Sequence, residues 1–116
     1  MIGSARLFQF WLFLLVTTYL SLTSGPPDAL EMFSDKIIHC VGYFLLMLSC
    51  DFAYFPHTKL LWKILFLFTF SIIIEVLQHF IPHRELSLLD IIANLTGLTW
   101  GLLVIVYLKT KVNKVA

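Results

Sequence analysis

Four long apolar segments, separated by short polar or proline-containing stretches, run along the chain. They are Leu7 to Leu22, Ile37 to Phe55, Leu60 to Ile81 and Leu88 to Leu108. Each is close to the roughly 20 apolar residues that a helix needs to cross the hydrocarbon core of a bilayer. The pattern predicts an all-α membrane protein, a bundle of four transmembrane helices.

The first segment also has an alternative interpretation as a signal peptide. Arg6 precedes it, and small residues such as Ser21 and Thr23 lie at its end. A basic start, an apolar middle and small residues before a cleavage point are typical of secretory signals. We favour a retained helix and keep cleavage as the alternative, which would leave the other three helices oriented as before.

Composition excludes several other classes of protein. Hydrophobic residues make up 59% of the chain and charged residues 13%, against roughly 45–50% and about 25% in soluble domains. A soluble domain of this size could not bury so much apolar surface. Scarce charge and a net charge of +1 also argue against a disordered chain or a nucleic-acid-binding protein. Residues 1–116 are therefore predicted to form a single integral membrane domain.

The distribution of basic residues predicts the orientation of the bundle, because cytoplasmic segments are enriched in Lys and Arg. With the amino terminus inside, the outer side holds only Lys36 and Arg84. The cytoplasmic side then holds Arg6, Lys59, Lys63, Lys109, Lys111 and Lys114. Both termini are therefore predicted to be cytoplasmic. Asp51 and Lys63 lie near predicted helix ends, where we expect them to extend towards the interface.

Polar side chains recur at helical spacing on the second and third segments. Asp35, His39 and Tyr43 follow one another every four residues, within about 80° of arc on one helix face. Glu75, Gln78 and His79 share one face of the third segment. With this topology both stripes lie towards the outer end of their helices.

The fourth segment carries a polar pair and then a track of small residues. Asp90 and Asn94 are four residues apart near its start, and Ala93, Gly97 and Gly101 follow the small-xxx-small spacing that lets helices approach closely. The partner helix is either internal or part of a second copy, which would form a homo-oligomer; the sequence leaves both open.

Three polar stripes at one depth predict a site between the second, third and fourth helices, open to the outer face, with Lys36 and Arg84 at its rim. This arrangement has a lower free energy than one in which each polar group faces lipid separately. A carboxylate that faces lipid at mid-bilayer costs about 2.5 kcal/mol or more. Glu75 is the strongest functional candidate, because no helix terminus lies beside it and intramembrane carboxylates are usually functional.

Each of the other members also has a purely structural interpretation. Asp90 fits a capping box with Ser87, and Asp35 suits a helix amino terminus. Tyr43, Gln78 and Asn94 are ordinary interhelical hydrogen-bonding groups.

The histidines leave three alternatives open: a proton acceptor, a metal ligand, or a hydrogen-bonded residue without further role. His39, Glu75, His79 and Asp90 have acceptable ligand types for zinc, but no short HExxH-type spacing supports such a site. The sequence therefore predicts neither a metal site nor a cofactor.

Taken together, these spaced residues resemble the VanZ-like family of small bacterial membrane proteins. The resemblance covers about residues 35–101 and is carried by Asp35-Lys36-x-x-His39-x-x-x-Tyr43, Glu75-x-x-Gln78 and Arg84-x-x-Ser87-x-x-Asp90-x-x-x-Asn94-x-x-Gly97-x-x-x-Gly101. It implies a multi-pass protein of the bacterial inner (cytoplasmic) membrane and a link to glycopeptide resistance of the teicoplanin type. It implies no agreed reaction.

Two functions follow as hypotheses. The first is a cell-envelope accessory protein that binds a membrane lipid or lipid-linked precursor at the outer leaflet. Its binding residues would be Asp35, Lys36, His39, Tyr43, Gln78, Arg84 and Asn94. The second is an intramembrane enzyme that acts on such a lipid with Glu75, His39 and Asp90 as acid and base groups. No nucleophile-plus-base spacing supports the second, and four helices without an inverted repeat argue against a stand-alone transporter.

Overall fold

Four α-helices make up the described part of the chain. The computed structural model describes residues 3–22, 29–55, 58–80 and 88–115, and for 29–35 and 113–115 it describes the backbone alone. The helices are α1 (Ser4–Leu22), α2 (Ala29–Tyr54), α3 (Leu60–His79) and α4 (Leu88–Val115). Each is long and apolar enough to cross a membrane. The predicted all-α fold of four transmembrane helices is confirmed.

Two helices extend beyond their apolar segments. Helix α2 begins at Ala29 rather than at Ile37, so the residues before the second apolar segment supply its first turns. A helix depends on backbone hydrogen bonds rather than on apolar side chains, so it can begin outside the membrane-spanning segment. Helix α4 likewise continues past Leu108 to Val115.

Side-chain contacts show that the helices run alternately up and down. Arg6 Nε donates to the carbonyl oxygen of Phe52 at 2.7 Å, and Lys109 Nζ donates to Asp51 Oδ1 at 3.1 Å. The start of α1, the end of α2 and the end of α4 therefore meet at one end of the bundle, which we call the termini-bearing end. We call the opposite end, where α2 and α4 begin, the site end.

Helix α2 is the centre of the bundle. It packs against the other three helices, most extensively against α4, whereas α1 and α4 share no contact among the described residues. The core includes Leu46, Met47, Leu67 and Leu98, which are completely buried. Many large apolar side chains instead face outwards, as expected where lipid takes the place of water.

The small-residue track of α4 packs against α2 of the same chain. A Cβ atom built on Gly97 would lie 2.1 Å from the carbonyl oxygen of Cys40, and one built on Gly101 would lie 2.7 Å from Met47 Cβ. Ala93, one turn before Gly97, is partly buried. The helix that packs on this small-residue track therefore belongs to the same chain. A second copy would have to displace α2 to use the same face, and association between copies stays a prediction.

An ion-pair cluster joins three helices at the termini-bearing end. Lys63 is 2% exposed, and its Nζ donates to Asp51 Oδ1 at 2.7 Å. Lys109 binds the same oxygen from α4. The expectation that Lys63 extends to the interface was wrong, because its ammonium group finds a carboxylate partner inside the bundle.

Candidate functional site

The α2–α4 contact brings two of the predicted polar residues into an ion pair at the site end. Asp90 lies in the first turn of α4, and its Oδ1 accepts a hydrogen bond from Lys36 Nζ on α2. Asp90 is buried, whereas the Lys36 side chain remains 30% exposed. Asp90 therefore does more than cap its own helix, and Lys36 lies at the edge of the cluster.

A second pair lies one turn deeper. His39 Nδ1 is 3.1 Å from Asn94 Oδ1, and Asn94 is 1% exposed. Because an amide oxygen only accepts hydrogen bonds, the ring donates from Nδ1. This contact fixes the orientation of the imidazole ring.

Helix α3 contributes Glu75, which is completely buried. One potential ligand atom from each of His39, Glu75 and Asp90 lies within 4.8 Å of the other two. Tyr43 is also buried on α2, close enough to Glu75 for an electrostatic interaction. We call His39, Tyr43, Glu75, Asp90 and Asn94 the polar cluster.

Gln78 is buried like Glu75, but it serves a different contact. Its Nε2 donates to the carbonyl oxygen of Ser21 at 2.6 Å. This hydrogen bond attaches α3 to the last turn of α1. Gln78 therefore has a structural partner, and its predicted role in binding stays a prediction.

The remaining predicted residues do not join the cluster in the described structure. His79 is exposed and makes an edge-on ring contact with Phe80, with ring centroids 5.6 Å apart. The side chain of Asp35, and Arg84 and Ser87 as a whole, lie outside the described residues. The rim position predicted for Arg84 therefore stays a prediction.

A groove of about 710 Å³ between α1 and α2 leads to the polar cluster. Most of its walls are apolar. They are formed by Phe8, Leu12, Phe13, Val16, Leu20 and Ile38, with Gln9, Thr17, Ser21, His39, Gly42 and Tyr43 as the other lining residues. From Phe8 to Ser21 it follows α1 for about 20 Å, at 1.5 Å per helical residue. His39 and Tyr43 belong to both the groove and the polar cluster.

The sequence analysis missed the contribution of α1 to this groove. Gln9, Thr17 and Ser21 are eight and four residues apart, which places them on one helix face. Gln9 accepts a hydrogen bond from Ser49 Oγ at 2.6 Å, so this face points to α2. The polar spacing on an otherwise apolar helix was the available signal.

Comparison with known proteins identifies the family of the chain. The family model described as VanZ/LLP1 matches residues 5–109, nearly the whole chain and more than the 35–101 region expected from the motifs. No curated protein and no solved structure matches the chain. A bundle of four membrane-length helices with this family match identifies the chain as a member of the VanZ/LLP1 family.

Proposed function

We propose that the protein binds a membrane lipid or lipid-linked envelope precursor, with an acyl chain in the α1–α2 groove and the polar head at the polar cluster. One observation carries this proposal: the walls of the apolar groove include His39 and Tyr43, which are also part of the polar cluster. A ligand with an apolar chain and a polar head needs an apolar surface that continues into a polar one.

The size of the groove suits one lipid chain. Its volume of about 710 Å³ lies within the roughly 300–1,000 Å³ of typical ligand pockets. Its length of about 20 Å exceeds the roughly 15 Å that one leaflet contributes to a 30 Å hydrocarbon core. An extended acyl chain could therefore remain beside α1 and α2 over the depth of its leaflet.

The charged edge of the cluster suits an anionic head group. Lys36 is partly exposed next to Asp90, and lysines near a membrane surface attract anionic lipids. His39 and Asn94 would then orient the polar part of the ligand by hydrogen bonds. Asp35 and Arg84 complete the set of proposed head-group residues by their position in the sequence.

The cellular setting belongs to the same proposal. A bacterial inner membrane with both termini in the cytoplasm would place the polar cluster at the outer leaflet, where envelope precursors are processed. Six basic residues on the termini side against two on the other support this orientation. Interference with a teicoplanin-type antibiotic would follow from this position, since the fatty-acyl tail of the antibiotic also brings it to the membrane surface.

An intramembrane enzyme is the second candidate. The observation in its favour is the approach of His39, Glu75 and Asp90 to within 4.8 Å of one another. This separation suits proton transfer through a bound substrate. The same amphiphile would then be the substrate rather than a ligand.

Filling the groove is expected to release the lipid. A Cβ atom on Gly42 would meet nothing within 4 Å, so Gly42→Leu places its side chain in the groove without disturbing the helix contacts. It excludes roughly four ligand methylenes at about 0.8 kcal/mol each, so the affinity for the lipid should fall on the order of a hundredfold. The measurement is mass spectrometry of the lipids retained per protein after purification in mild detergent.

Gly3→Leu is the matched control, because a Cβ atom on Gly3 also meets nothing within 4 Å and Gly3 does not line the groove. This variant should retain lipid like the wild type. Equal lipid retention by Gly42→Leu and Gly3→Leu would count against a ligand in the groove.

A further inference from the structure

The polar cluster contains a donor set that suits a metal ion. His39 comes from α2, Glu75 from α3 and Asp90 from α4, and one potential ligand atom from each lies within 4.8 Å of the others. Glu75 and Asp90 are buried. Linear spacing offered no support for a metal site, because the three residues come from three different helices.

The surroundings of His39 resemble those of a metal ligand. Its Nδ1 donates to Asn94 Oδ1 at 3.1 Å. Metal-bound histidines almost always donate their other ring nitrogen to a carbonyl or carboxylate oxygen, which fixes the ring and raises its basicity. Asn94 would thus be a positioning residue for the His39 ring.

Two buried polar atoms beside these residues provide an independent indication of a ligand. Tyr43 Oη and Asn94 Nδ2 have no hydrogen-bond partner among the described residues, although Tyr43 is 3% and Asn94 1% exposed. Buried polar groups are normally paired. An oxygen ligand on a metal ion would be a suitable partner for both of them.

We propose that His39, Glu75 and Asp90 bind a divalent transition-metal ion of the zinc type, with an oxygen ligand in the remaining position. Imidazole together with carboxylates favours zinc and its neighbours over magnesium or calcium. Three protein ligands and one open position are typical of zinc sites at which a further molecule binds. The Lys36 contact is compatible with this site, because a carboxylate has about four lone-pair positions to share.

The test uses tag-free, full-length protein that is stripped with a chelator, loaded with zinc chloride and desalted. Metal content is measured by mass spectrometry, and affinity by competition with a chelating dye. We expect about one zinc ion per chain, as the three ligands define one site. His39→Gln and Glu75→Gln should each weaken zinc binding more than about tenfold. Loss of a residue that only hydrogen-bonds to a metal ligand already lowers metal affinity about 10–100-fold.

His79→Gln is the matched control, because His79 is an exposed histidine near the same end of the bundle. This variant should bind zinc like the wild type. Wild-type protein that retains no zinc would overturn the proposal, even if the ligand variants failed to fold. An equal loss of zinc in His79→Gln and His39→Gln would also overturn it, since it would indicate adventitious binding.

Discussion

Gly97→Leu is expected to prevent accumulation of the folded protein. A Cβ atom at position 97 would lie 2.1 Å from the Cys40 carbonyl oxygen and 3.0 Å from the Phe44 nitrogen. Both are backbone atoms of α2, which cannot move away by a change of side-chain rotamer. Helices α2 and α4 must therefore separate. Because overpacking of a close contact costs about 3 kcal/mol, or more when backbones clash, we expect most of the folded protein to be lost.

The measurement is the amount of monodisperse protein extracted from membranes, followed by its melting temperature. Gly3→Leu is the control, since it makes the same substitution outside the groove, at a position where no atom lies within 4 Å of the new Cβ. It should accumulate and melt like the wild type. Normal accumulation of Gly97→Leu would show that the α2–α4 contact is not as close as described.

Asp51→Asn is expected to destabilise the termini-bearing end strongly. Lys63 is 2% exposed, and Asp51 binds its Nζ at 2.7 Å. The substitution keeps the shape of the side chain but leaves the buried ammonium without a carboxylate. Removing one partner of a buried ion pair costs about 3–5 kcal/mol. The free energy of unfolding in detergent micelles should fall by this amount.

Two further variants separate the effect of charge burial from that of a lost contact. Lys109→Met removes the partly exposed lysine on the same carboxylate, and exposed pairs contribute only about 0–1 kcal/mol. The double variant Asp51→Asn with Lys63→Met removes both buried charges and should recover most of the stability. If Asp51→Asn were as mild as Lys109→Met, Lys63 would not depend on this pairing.

The length of the apolar segments was sufficient to predict the number and the type of the helices, because a helix needs about 20 apolar residues to cross a membrane. Helix ends were less predictable. Helix α2 starts at Ala29, before the apolar segment that begins at Ile37. The length of an apolar segment reflects the thickness of the bilayer. Where a helix ends depends instead on its backbone hydrogen bonds and on the helix dipole.

The polar stripes predicted which helices would meet, since His39, Glu75 and Asp90 do converge. Their pairing could not be predicted, because helical spacing gives the face of a side chain but not its rotation towards a neighbour. Lys63 shows the same limit. Its position near a helix end suggested exposure, but the opposing Asp51 became visible only with the packing of α2 on α3.

The groove was the least predictable feature, because it is the space between α1 and α2 that no side chain occupies. Gly42 on α2 has no side chain, and Thr17, which lines the groove on α1, has a small one. Sequence patterns describe which surfaces are apolar, whereas a cavity depends on the distance between two helices. This distance follows from contacts elsewhere, such as the hydrogen bond between Ser49 and Gln9.

Photo-crosslinking from within the groove tests the proposed lipid site most directly. A photoreactive amino acid at Thr17, which lines the groove, is compared with one at Leu103, which is 54% exposed on α4. The adducts formed in native membranes are identified by mass spectrometry. We expect position 17 to capture one class of acyl-chain amphiphile, and Gly42→Leu to suppress this adduct. Capture of the same mixture of bulk lipids in equal amounts from both positions would contradict a lipid-binding site between α1 and α2.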